Sequence, residues 1–165
     1  MSPHPASGLQ HLLARAEALC EERGARLTEQ RRRVLEILCA AGRPIGAYEI
    51  LEAMRDGPRA LAPPTVYRAL DFLLGQGLVH KIESLHAFVG CDHPGQPHAS
   101  QFLICDRCGI VTELEDEEVA RSLRSAADGT GFQPARRVVE LIGVCATCSD
   151  AEHPQTSESR DSPSG

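Results

Sequence analysis

Apolar residues recur at helical spacing through the first half of the chain. Leu9, Leu12, Leu13, Ala16, Leu19 and Cys20 form one stripe behind Ser7, a candidate N-cap, and Gly24 closes the segment. Thr28 is placed to cap a second helix over residues 29–41, with Val34, Leu35, Ile37 and Leu38 as its stripe and Gly42 as its stop. A third helix is predicted over 47–55, with Ile50, Leu51 and Met54 inward. The loop 57–64, which contains Pro58, Pro63 and Pro64, separates it from a fourth over 65–74 that ends near Gly75 and Gly77. Val66, Leu70, Leu73 and Leu74 of that helix are assigned to the core. Residues 78–83 and 87–91 read as two short strands around Ser84, Leu85 and His86. Helices followed by such a hairpin describe a winged helix-turn-helix, in which the helix after the turn enters the major groove.

The second half has a different rhythm. Residues 101–104 and 110–114 read as strands, 116–127 as a helix and 135–144 as a third strand. Each end of this unit carries a Cys-x-x-Cys pair, Cys105 with Cys108 and Cys145 with Cys148. Such a pair places two sulfurs on one side of a tight turn, about 2.3 Å from a common metal, and two pairs complete a zinc tetrahedron. A closed site of this kind stabilises a fold and leaves no open position for chemistry. Here it would staple the last strand to the first hairpin, in a sheet too small to bury much by itself. The sheet also has an exposed edge that a two-fold partner could cover. Two disulfides are the competing use of these cysteines. Against them, no apolar signal segment opens the chain and seven cysteines leave one unpaired. A redox pair would open a helix, whereas strand-like residues follow Cys108. Cys20 and Cys39 fall on apolar stripes and read as small core residues.

Composition sharpens the division. The net charge of −6 argues superficially against nucleic acid. Residues 1–84, however, hold 11 Lys/Arg against 10 Asp/Glu, a net of +1, while 85–165 hold 6 against 13, a net of −7. Only the first half is suited to lie against phosphate. No apolar run is long enough to cross a membrane, so a cytoplasmic location is expected. The segment 149–165, rich in Ser, Pro and charge, is expected to be disordered. The organisation expected is α+β: a winged-helix DNA-binding domain over 1–84, a wing exit and hinge over 85–99, and a zinc-stapled α/β dimerisation domain over 100–148.

On the fourth helix, Thr65, Tyr67, Arg68 and Asp71 fall on or near the outer face, and a hydroxyl, an aromatic ring and a guanidinium are groups that contact phosphate, a thymine methyl and guanine. Arg31, Arg32 and Arg33 point around about 200° of a helix, so at least one is placed to meet a phosphate backbone.

Four motifs in order carry a resemblance. They are Arg26-Leu27-Thr28-Glu29-Gln30-Arg31, the run from Pro63 to Leu73, Cys105-Asp106-Arg107-Cys108-Gly109, and Cys145-Ala146-Thr147-Cys148. Over about residues 8 to 148 by this motif reading the chain resembles the ferric uptake regulator family. Ala47-Tyr48 and the segment 79–84 are most similar to its zinc uptake regulator branch. The resemblance implies a metal-activated dimeric repressor of double-stranded operator DNA, with two zinc ions per chain and no small-molecule substrate. It places Tyr67 and Arg68 on base edges with Thr65 nearby, and Tyr48, Gln30 and Arg31 toward the DNA backbone. It assigns His80, Cys91, His98 and Glu113 to a regulatory zinc site, a donor set that suits tetrahedral zinc.

Strand alternation alone puts Glu113 and Glu115 on one face with Val111 and does not choose between them, and His93 competes with His98. Cys91 leans the site toward zinc rather than iron, and the chain lacks the His-rich segment that iron sensors of the family carry before the sheet. An iron- or peroxide-sensing regulator is the alternative within the family. A zinc-dependent enzyme, which would need a general base and a pocket, and a zinc-stabilised interaction module are the alternatives outside it.

Overall fold

The computed structural model describes residues 6–55, 63–95, 100–134 and 137–150. Four helices come first, α1 (Ala6–Glu22), α2 (Glu29–Ala41), α3 (Ala47–Arg55) and α4 (Pro63–Gly75), followed by strands β1 (Val79–Ile82) and β2 (Ala87–Gly90). The punctuation of α2 is as expected. Thr28 is extended and its side chain accepts from the Arg31 amide, while Gly42 adopts the left-handed conformation with φ +60°. At the start of α1, Ser7 lies inside the helix rather than capping it, because the helix already includes Ala6. α4 begins two residues early, at Pro63. Both prolines sit in the first turn, where their missing amide protons have no intrahelical partner to lose.

Leu13, Leu35, Leu38, Ile50, Leu70 and Leu73 are fully buried where these helices meet. Each contributes about 1.5–3 kcal/mol relative to exposure. Ala69 takes the core position expected of Leu74, which packs only partly against the cluster. β1 and β2 pair antiparallel, with His80 opposite Val89, and Ile45 adds a bridge to Phe88.

The second half contains β3 (Ser100–Cys105), β4 (Val111–Glu115), α5 (Glu117–Asp128), β5 (Glu140–Gly143) and a short α6 (Ala146–Asp150). β3 is central, antiparallel to β4 and parallel to β5. Parallel pairing needs a crossover, which α5 supplies. Asp116 caps α5 instead of opening it, its carboxylate accepting from the Glu118 and Val119 amides at 2.8 and 3.1 Å. The last strand is shorter than expected. Only Glu140–Gly143 pairs with β3, residues 137–139 precede it without strand structure, and Ala135 lies outside the described residues.

The hairpin packs on the second sheet. Ile82 and Val89 join Phe102, Ile104 and Val111 in a small buried cluster separate from the helical core. No helix among the described residues is long and apolar enough to cross a membrane.

Candidate metal centres and nucleic-acid interface

The turn after β3 brings Cys105 and Cys108 together, and the start of α6 brings Cys145 and Cys148 to them. All four sulfurs lie within 4.8 Å of one another, with Cys108 Sγ 3.7 Å from Cys145 Sγ. A tetrahedron with bonds of about 2.3 Å has sulfur–sulfur edges of about 3.8 Å, so this donor set fits zinc. Backbone geometry also favours a thiolate at Cys105. The amides of Cys108 and then Cys145 donate to the Cys105 sulfur and lower that thiol to about 6, while the Cys145 and then Cys108 side chains raise Cys148 to about 12. The Asp106 amide donates to Gly143 O at 2.9 Å, which ties the first turn to the last strand.

A second constellation sits where the hairpin meets the second sheet. His80 Nε2 of β1 lies 3.3 Å from Glu113 Oε1 of β4, and both side chains are largely buried. The His80 ring also packs on Phe102, with centroids 5.5 Å apart. Cys91, immediately after β2, is fully buried, and its amide donates to Leu78 O. Burial above all, with the nearby Glu113, Asp92 and Glu115 carboxylates, pushes its thiol up to about 12 against the lowering effect of the His93 amide. A metal cation bound at that sulfur would displace its proton. Gly95, four residues after Cys91, has a φ of +87°, and a Cβ there would lie 2.7 Å from Leu19 Cδ2 of α1. Glu115 is half exposed and lies 3.7 Å from His93 Nδ1, so the two glutamates that share a strand face have different partners. His98 lies outside the described residues.

On the helical half, the aromatic rings expected at DNA stand in solvent: Tyr48 is 70% exposed and Tyr67 56%. Arg68, next to Tyr67, and Gln30 of α2 are exposed, and Thr65 is partly covered. Arg31 has an additional duty. Its guanidinium lies 3.6 Å over the Phe72 ring centre and donates to Arg26 O at 2.7 Å, bracing α2 against α4.

One contact between the halves was not anticipated from sequence. Glu140 of β5 accepts from the Glu83 amide at 2.6 Å and the Ser84 amide at 3.0 Å. The available signal was a single carboxylate inside the apolar run Val138, Val139, Leu141, Ile142.

The family model "Ferric uptake regulator family" matches residues 22–142. The zinc uptake regulation protein of Escherichia coli (strain K12) is 45% identical over 150 residues, covering 88% of each chain. A zinc uptake regulator solved in complex with zinc and DNA is 45% identical, with a TM-score of 0.83 over 87% of this chain and 97% of that one. The holo form of XcZur, 49% identical, scores 0.78 over 83% of this chain and 96% of that one. Its apo form, 47% identical, scores 0.52 over 87% and 99%. At nearly equal identity, the arrangement of this chain is therefore the nearer to the holo form. Sequence and fold together show that the chain belongs to the ferric uptake regulator family.

Proposed function

We propose that this chain is a zinc-responsive transcriptional repressor that binds operator DNA as a homodimer and controls zinc uptake genes. Residues 1–84 would hold the DNA, 85–99 would form the exit and hinge, and 100–148 would form the dimerisation domain. The observation that carries the reading is the place of His80, Cys91 and Glu113. His80 belongs to the DNA-binding half, Cys91 to the exit and hinge, and Glu113 to the other half; His80 approaches Glu113 at the seam where Ile82 and Val89 pack on Phe102, and Cys91 is buried directly after β2.

Two zinc ions per chain are assigned. Cys105, Cys108, Cys145 and Cys148 would hold the structural one; His80, Cys91, His98 and Glu113 the regulatory one. Glu113 is preferred to Glu115 because of its burial and its approach to His80. When bound, zinc supplies a four-coordinate cross-link between the halves. The chain's own residues do the rest. Phe102 packs against the His80 ring and would help to orient it. The two recognition helices of a dimer are thereby kept at a spacing that matches successive major grooves, about 34 Å or a multiple. Tyr67 and Arg68 would reach base edges with Thr65 nearby, and Tyr48, Gln30 and Arg31 would face the backbone. The dimer would cover the open apolar face of the sheet that Leu103, Leu114 and Leu141 share, where Leu141 is 59% exposed.

The thiol of Cys91 favours zinc over the iron- or peroxide-sensing alternative. A gel shift on a palindromic A/T-rich duplex tests the reading. Zinc is expected to produce the shifted complex, and a chelator to abolish it. Equal binding in both conditions would refute it.

A further inference from the structure

Among the described residues, the seam between the halves carries polar groups at both ends of the hairpin. At the base of the hairpin are His80 and Cys91, the residues assigned to regulatory zinc. At its tip, the turn 83–86 meets Glu140, and the two contacts are about 10 Å apart along β1 at about 3.3 Å per residue. Between them lies the cluster of Ile82, Val89, Phe102, Ile104 and Val111, which is apolar and so imposes no direction.

A cross-link at one point leaves the hairpin free to pivot about that point. A second directional contact some distance away removes the pivot. Glu140 is built as that contact. Its Oε1 accepts from the Glu83 amide at 2.6 Å and its Oε2 from the Ser84 amide at 3.0 Å, and the Ser84 hydroxyl donates as well. Both carboxylate oxygens are thus used on one turn, by amides whose positions are fixed by the backbone. Bonds to an ionised acceptor are the strong and directional kind. On its other side Glu140 sits in β5, in register with Phe102 of the central strand. Any tilt of the tip is therefore resisted by the whole sheet. The carboxylate ionises readily: burial raises its pKa, but the Ser84 hydroxyl and then the Ser84 and Glu83 amides lower it further, and the balance lies below the usual glutamate value.

We infer that Glu140 is a positioning residue, a metal-free latch on the hairpin tip that converts closure at His80, Cys91 and Glu113 into a single orientation of the winged helix. The inference rests on the repressor reading above, and it assigns Glu140 no part in metal binding or DNA contact.

The test uses the full-length dimer with one spin label per chain, carried on a genetically encoded ketone side chain in place of exposed Ala14 of α1. Electron–electron resonance then reports the distance between the two winged helices, with saturating zinc or with chelator. Cobalt refilled into the chelator-accessible site reports the ligands. In Glu140→Gln, the cobalt bands, the metal content and the dimer mass should equal those of the parent. Its zinc-loaded distance distribution should nevertheless broaden toward the chelated one. Affinity for the A/T-rich palindrome should fall roughly 5-fold or more, the low end of coupling between linked sites. Glu140→Asp, whose shorter carboxylate cannot reach both amides, should broaden it as well, and decides the matter if Glu140→Gln fails to fold. An unchanged distribution in these variants would overturn the latch, as would altered cobalt bands, which would make Glu140 part of the metal site. If the parent protein shows no zinc-dependent DNA binding, the repressor reading falls, while the distance arm still decides the latch.

Discussion

Arg68 stands exposed on the outer face of α4, next to Tyr67 and two residues from buried Val66. A bidentate contact with guanine would make it specific, so Arg68→Ala should cost about 1–3 kcal/mol and relax selection at one base pair per half-site. Binding assays against single-base operator variants check this; a uniform loss across all variants would mean that Arg68 touches phosphate instead. Residue roles that depend on local chemistry were legible in the sequence. Thr28, Gly42 and the four paired cysteines announce themselves, because a cap, a left-handed turn and a thiolate cage need particular residues at fixed spacing. Roles that depend on distant partners were not. Nothing near Glu140 predicts that it serves a turn 56 positions away, and nothing near Arg31 predicts that Phe72 covers its guanidinium.

At the scale of elements, helices were easier to read than strands. The stripes of α2 and α3 give their limits directly, because one apolar face and one cap specify a helix locally. The extent of β5 depends on how far β3 runs alongside it, which its own apolar residues do not tell. The same packing makes a prediction for β2. A Cβ added to Gly90 would lie 2.6 Å from Cys39 Sγ and 3.5 Å from Cys39 Cα, and Cys39 is itself buried in α2. Gly90→Ala should therefore destabilise the protein by about 1–3 kcal/mol through overpacking. In urea denaturation, adding Cys39→Ala to Gly90→Ala should recover much of that loss. Strict additivity of the two changes would show that the clash is relieved elsewhere.

In the proposed reading the whole molecule divides its metal chemistry by location. The four-cysteine cage lies within the second half and joins the β3–β4 turn to the end of β5, so it makes that half cohere without linking it to the first. Structural zinc typically contributes on the order of 10 kcal/mol of apparent binding energy, more than a small sheet supplies. Cys145→Ser should accordingly unfold the second half and yield monomers by sedimentation, while the helical signal of the first half persists; a stable variant dimer would contradict this. The proposed seam site has the opposite character, since its assigned donors come from both halves. The arrangement of this chain is nearer to holo than to apo XcZur. Fluorescence anisotropy of an A/T-rich operator at buffered free zinc tests the central claim most directly. With the four-cysteine site filled throughout, affinity should rise by about 5- to 150-fold as zinc saturates the parent protein, and Cys91→Ser should remain a dimer with no such rise. A Cys91→Ser dimer that still tightens on the operator with zinc would contradict it.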